Sequence, residues 1–320
     1  MNRPKTVAFI WLLYALFFYS LFRVALRNSD SSRNYSSASD AVISNKDRRS
    51  ALYDQMGRDL KDHGPVFLNR GGRTSQSLSL SDIFTIRDGS VAPVLKAANP
   101  PVRANVLYLS TQYSLPISKA LKPILDPYFD KAIWFQNSSL YHFSMFHASH
   151  HISPVPATQD EIETEVAAVR TIAQGLCPLK IVLDRVVLTS TGVLLGCWQV
   201  TSGSDPITIR AKLRTALPHA PEKQLHLLIC SRCLLQYDAA ILHTSFTRLL
   251  GHPKASSKVL SNTSDQIHFF QELVHRLNNE LQGFEAVVSE LWYVEEFDVL
   301  ALALNGRMKA RRFQLGCSRS

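Results

Sequence analysis

Two short stretches constrain the fold of this chain more than any other feature. Ser139-Leu140-Tyr141-His142-Phe143-Ser144-Met145-Phe146 has a distant echo in Ala239-Ala240-Ile241-Leu242-His243-Thr244-Ser245-Phe246. Each reads as an apolar strand carrying one histidine and, two residues on, one hydroxyl. Successive strand side chains point to opposite faces, so His142 shares a face with Ser144, and His243 with Ser245. An acid/base chemistry on phosphate needs this imidazole-plus-hydroxyl pair presented twice. The chain must then be able to bring two separate strands together.

Its elements allow that. Residues 50–62 suit a short amphipathic helix, and Ile83–Ile86 with Val91–Leu95 suit a hairpin, because Asp88-Gly89 fits a type I′ turn. Asn99-Pro100-Pro101 punctuates, and the main body starts there. Strands are expected at Val106–Ser110, Ala132–Phe135, Leu179–Thr189 and Gly192–Val200, and near 284–296, 298–304 and 309–315. Helices are expected at Ile117–Leu125, 158–175 (capped by Thr158), Pro206–Leu217 and 264–281. Strand–helix–strand units on both sides of residue 200 predict an α+β fold of two similar lobes. The apolar run Leu225–Leu235 is an extra strand or an insertion outside the core fold.

From Val7 to Leu26 the chain is apolar except for Arg23, about the length that crosses a bilayer. No small-x-small cleavage site follows, so residues 1–27 read as an N-terminal transmembrane helix that stays attached. Residues 28–50 are Ser-rich and polar, a flexible stem. Residues 51–100 form an extension with the hairpin, and 101–320 a bilobal domain. Three sequons, at Asn34, Asn137 and Asn262, lean the body towards the lumen of a secretory-pathway membrane and towards a glycoprotein. The net charge of +9 is uneven: residues 1–50 hold eight Lys/Arg against three Asp/Glu, and 101–320 hold 21 against 18. A nearly neutral body argues against binding a long duplex.

The five cysteines (Cys177, Cys197, Cys230, Cys233, Cys317) are odd in number and irregular in spacing, which does not look like a disulfide framework. Cys230-x-x-Cys233 has no partner pair for zinc. His147, His150 and His151 read as a polar loop; a metal held by them would lack a nearby carboxylate or cysteine to complete the site.

The paired His-x-Ser strands, 101 residues apart, resemble the two-histidine (2H) phosphoesterase superfamily. More specifically, residues 82–317 look like plant proteins of the RNA ligase/cyclic nucleotide phosphodiesterase family, on Leu140–His151, Pro178–Val200, Ile241–Pro253 and Val287–Leu304. The chain departs from the plainest pattern in having Ser for Thr in both motifs, in the Leu225–Leu235 run and in its anchor. The resemblance implies two lobes facing across a cleft, with His142 and His243 as acid and base in either order and Ser144 and Ser245 holding non-bridging oxygens. It implies no metal and no cofactor, and a nucleotide or RNA-end substrate with a 2′,3′-cyclic phosphate. Arg248 and the basic tail Arg307–Arg312 are further candidates for phosphate contact, the tail reading first as a solvated face. Two rivals remain: a Golgi glycosyltransferase-like lumenal enzyme, which the lack of an Asp-x-Asp disfavours, and a non-catalytic relative that binds a partner.

Overall fold

The structure is a computed structural model, and it describes residues 44–68, 78–87, 90–129, 132–222, 224, 238–254 and 262–317. The expected anchor, most of the stem, Leu225–Leu235 and the Cys230/Cys233 pair lie outside the described residues. Among the described residues no helix is long and apolar enough to cross a membrane.

Eleven strands and seven helices follow one another in the described part of Asn45–Ser320, which is one compact unit. The helices are α1 (Asn45–His63), α2 (Leu80–Ile83), α3 (Thr111–Phe129), α4 (Gln159–Gln174), α5 (Pro206–Ala216), α6 (Thr263–Leu281) and α7 (Ala301–Leu304). The strands are β1 (Phe84–Arg87), β2 (Ser90–Pro93), β3 (Ala97–Tyr108), β4 (Ile133–Phe135), β5 (His142–Ser149) and β6 (Leu179–Leu188). They continue as β7 (Val193–Ser202), β8 (His243–Leu249), β9 (Glu285–Val288), β10 (Glu290–Asp298) and β11 (Met308–Gln314).

Two antiparallel sheets carry the body. One has the order β11-β10-β3-β5 and the other β4-β8-β7-β6-β9, with β1-β2 a separate hairpin. Helices α4 and α5 pack on the first sheet, and α6 packs on the second and against α3. One continuous apolar core joins them, with Leu107, Phe143, Leu291 and Tyr293 from the first sheet and Leu183, Trp198 and Phe246 from the second. The fold is thus α+β with two sheet-based lobes, but the lobes are not the two halves of the chain. The chain alternates between them: β3 lies in the first sheet, β4 in the second, β5 in the first and β6 to β9 in the second.

Several local expectations need correction. Helix α1 begins at Asn45, so a stem–extension boundary at residue 50 falls inside a helix. Its polar composition conceals its burial: Arg49 is buried against Gln199 and Asp205, and Tyr53 is fully buried. Strand β3 runs straight through Pro100-Pro101. Helix α3 extends to Phe129 with Pro116, Pro123 and Pro127 inside it. The apolar run 298–304 is one helical turn rather than a strand. Leu300 at φ 60° and Asn305 at φ 58° bracket it, and the Glu296 carboxylate accepts the Leu302 N–H.

Cys177 and Cys317 form a disulfide with Cα atoms 4.6 Å apart, closing a separation of 140 residues, and Cys197 is a buried free thiol. The reading of the cysteines as no disulfide framework therefore fails for that pair. Spacing could not show it, because the partners meet only through packing of the C-terminal segment on α4, where Gly316 N donates to Ala173 O. Cys177→Ser is expected to cost about 2–5 kcal/mol. The check is a lower thermal midpoint for the variant than for wild type without reductant, with the two converging when reductant is added.

Candidate active site

Strands β5 and β8 are built alike at the motif, each with an extra residue three positions after its histidine, and β5 has a second one at Ala148. Against β3, Val106 pairs with Ser144 and Asn105 with Phe146, so Met145 is the bulge. Against β7, Leu195 pairs with Ser245 and Leu194 with Thr247, so Phe246 is the bulge. A bulge reverses the side-chain alternation beyond it. In both strands the less buried positions therefore fall at the histidine, two residues on and five residues on. One face presents His142, Ser144 and His147, and the other His243, Ser245 and Arg248. The fifth-position residues are the functional candidates that plain alternation misses, because an unbulged strand would turn them the other way. The bulge at Phe246 has its counterpart in β7, where Gly196 leaves the room its ring fills: a Cβ there would lie 2.3 Å from Phe246 Cζ.

The two faces meet. Strands β5 and β8 lie side by side, the ring of Tyr141 packs 5.5 Å from that of Phe246, and the charge of His142 is felt at His243. His142 Nδ1 lies 2.7 Å from Leu140 O, so it carries the proton it donates there and leaves Nε2 for substrate. Burial lowers its pKa, and the bond to Leu140 opposes that shift. His243 is brought down to about 3, first by burial, then by the Arg210 guanidinium and then by His142. Its Nδ1 is buried with no hydrogen-bond partner among the described residues. The Ser144 and Ser245 side chains are part-exposed on the same faces.

Arg210 ties the two strands together from α5. Its Nε donates to Met145 O, Nη2 to Ser144 O, and Nη1 to Ala239 O and Ile241 O, at 2.7–3.2 Å. The side chain is 3% exposed. The bulge in β5 turns two carbonyls out of the ladder, and the guanidinium fork satisfies both. Helix α1 braces the other side. Tyr53 Oη accepts from Leu242 N and lies 2.7–2.8 Å from Trp198 O and Leu242 O, next to His243.

Arg248 differs in kind. Its Nη1 is buried without a partner among the described residues, and burial lowers its pKa only to about 10, so it remains a cation at neutral pH. It lines a cavity of about 50 Å³ with Ser245, Trp134 and Gln136, room for a few waters. An unpaired charge beside a hydroxyl in a small, largely apolar cavity is arranged for an anion.

The histidine cluster and the tail are placed otherwise. His147 is part of β5, not a loop, and it stacks edge-on with His150 at 5.0 Å, which in turn contacts His151 at 4.2 Å. Burial and the neighbouring imidazoles hold His147 at about 4 and His150 at about 2. Among the described residues no three His, Cys, Asp or Glu side chains are grouped to hold a metal ion. In the tail, Arg307 pairs with Asp298, Arg311 with Glu295 and Glu163, and Arg312 stacks 4.3 Å over Trp292. Those cations belong to β10–β11 packing.

No protein-family model and no curated protein sequence matches the chain. Among solved structures it is similar to TT0787 of Thermus thermophilus at TM-score 0.41 and 10% identity, over 68% of this chain and 100% of that one. It is similar to Escherichia coli LigT complexed with ATP at TM-score 0.38 and 11% identity, over 68% and 99%. A solved phosphoesterase gives TM-score 0.37 and 10% identity, over 68% and 99%. At such scores function has to be argued from the site's own residues.

Proposed function

We propose that the protein is a two-histidine phosphodiesterase that opens 2′,3′-cyclic phosphates on nucleotides or RNA ends. One observation carries the reading: two imidazole–hydroxyl pairs sit on equivalent bulged strands, within electrostatic reach of each other and beside the unpaired Arg248. A neutral imidazole takes a proton from water as its oxygen bonds to phosphorus. The phosphorus–ribose oxygen bond breaks with its electron pair, and the protonated imidazole gives that oxygen a proton. The product is a ribose phosphomonoester. Ser144 and Ser245 donate to the non-bridging oxygens, and Arg248 balances the charge that gathers on them. The nearly neutral body suits a nucleotide or a strand end rather than a duplex.

The test is turnover of 2′,3′-cyclic nucleotides and cyclic-phosphate-ended oligonucleotides by the full chain in excess chelator. The pH dependence has a defined sign. The pair is singly protonated only between its two values; burial lowers both, His243 to about 3 and His142 below the ordinary histidine range with the Leu140 bond opposing that shift. kcat/KM is expected to be greatest on the acid side of neutrality and to fall as pH rises through the higher of the two values. No turnover by folded protein at any pH from about 4 to 8, a span that brackets the ordinary histidine range, would sink the reading.

For location we infer a lumenal body on a single-pass anchor at residues 7–26. The apolar run, the exposed sequon residues Asn137 and Asn262, and the Cys177–Cys317 disulfide support it. A glycosidase-sensitive, membrane-bound form of the full chain is the expected result, and a soluble, unglycosylated form would count against it.

A further inference from the structure

The two motif strands match in sequence, register and bulge, yet their histidines are not equivalent. In β5 the carbonyl two residues before the histidine, Leu140 O, accepts from His142 Nδ1. In β8 the matching carbonyl is Ile241 O, and Arg210 Nη1 occupies it at 2.7 Å. His243 Nδ1 is left buried without a partner among the described residues. One imidazole has a fixed acceptor that stabilises its protonated form. The other has lost that acceptor to a cation, and the same cation faces it.

Resting on the phosphodiesterase reading above, we propose that Arg210 is the positioning residue that divides the labour, leaving His243 neutral as the general base and His142 protonated as the general acid. In the forward step the attacking water gives its proton to His243 and its oxygen bonds to phosphorus. The bond from phosphorus to the leaving oxygen breaks with its electrons, and that oxygen takes the Nε2 proton of His142. The next turnover needs a proton returned to His142 and one lost from His243, which solvent exchange supplies. The groups facing His243 agree with this assignment. From β5 there is His142 and from α5 Arg210. From β7 there is Cys197 and from α1 Tyr53, both held in their neutral forms by burial.

The order of protonation can be read without any turnover. In the full chain labelled at histidine, ring-nitrogen NMR should show His142 gaining its proton at higher pH than His243. Arg210→Gln should raise the His243 midpoint by about one unit or more, because it removes a like charge and frees Ile241 O. His142 should move less. Arg210→Lys keeps the charge but loses the fork, so it should hold the His243 midpoint low while activity still falls. A purely structural role for Arg210 would not separate the two variants. His243 titrating above His142 in wild type, or standing still in Arg210→Gln, would overturn the assignment.

A second arm uses the leaving group. Bis(4-nitrophenyl) phosphate needs a base to take the proton of the attacking water but no acid, because nitrophenolate leaves as the anion. His142→Ala should lose little on it, about threefold or less, and about 10²-fold or more on substrates with a ribose leaving oxygen. His243→Ala should lose heavily on both. The reverse pattern would exchange the roles. Failure of wild type on every phosphodiester would instead reject the functional reading, with the NMR order still standing as a measured fact about the pair.

Discussion

His142→Ala and His243→Ala are each expected to lower kcat/KM for opening a ribose cyclic phosphate by about 10²–10⁴-fold. The double variant should be little worse than the poorer single one. The reason is that both imidazoles act in the same proton transfer: once one is gone, the other has no complementary partner, and their effects do not add. Folding should survive both changes. Neither ring is in the apolar core, and the His243 Nδ1 makes no hydrogen bond to another described residue, so its removal strands no partner. The His142 ring accounts for one bond, to Leu140 O, worth about 1 kcal/mol. Thermal midpoints within a few degrees of wild type, with activity lost, mark residues that do chemistry. Tenfold or smaller losses in both variants, or losses that multiply in the double variant, would mean that the pair is not a catalytic unit.

Much of this site is legible in the sequence because strand periodicity is a strong signal. His142 and Ser144, and His243 and Ser245, share faces as alternation requires, and each pair lies ahead of its bulge, where alternation still holds. Helix starts are legible for the same local reason. Thr158 and Glu161 form a reciprocal cap on α4, and Asp205 ahead of Pro206 caps α5. The hairpin at Phe84–Pro93 forms around Asp88-Gly89, whose own placement lies outside the described residues.

What stays hidden depends on long-range packing. A bulge is one residue of register, and nothing local to Met145 or Phe246 announces it, so the faces of His147 and Arg248 do not follow from spacing. Arg210 lies in a helix beside Lys212 and Arg214 and looks like part of a solvated basic face. Only the carbonyls turned out of β5, and those of Ala239 and Ile241, reveal why it is buried. A helix read over 50–62 falls short of α1 because the burial of α1 rests on Arg49 and Tyr53, each satisfied by residues about 145–190 positions away. Any shortened form of the protein that begins at residue 51 would remove Arg49 and half of this brace.

Arg248→Met is expected to separate function from stability in opposite directions. Its Nη1 is buried without a partner among the described residues, and burial depresses its pKa to about 10. Both facts say that the folded protein without substrate holds this charge at a cost. Methionine fills similar space without a charge to desolvate, so stability should stay level or rise. Activity should fall by about 10²–10³-fold, the usual effect of losing one preorganised donor to developing anionic oxygen. Arg248→Lys should recover only part of that, since a single ammonium cannot reproduce the planar fork beside Ser245. The loss should fall mainly on kcat if the guanidinium meets charge that gathers only in the transition state, and mainly on KM if it holds the ground-state phosphate. The measurements are steady-state kinetics and thermal melts of the same preparations. A variant that loses stability and activity together would show Arg248 to be a packing residue with an unobserved partner, and the anion site beside Ser245 would be lost from the mechanism. A variant that keeps full activity at unchanged stability would remove the charge from the reaction, leaving the two serines as the only donors to phosphate oxygen. The predicted opposition is what a residue placed for its ligand should show, because its favourable partner arrives only with substrate.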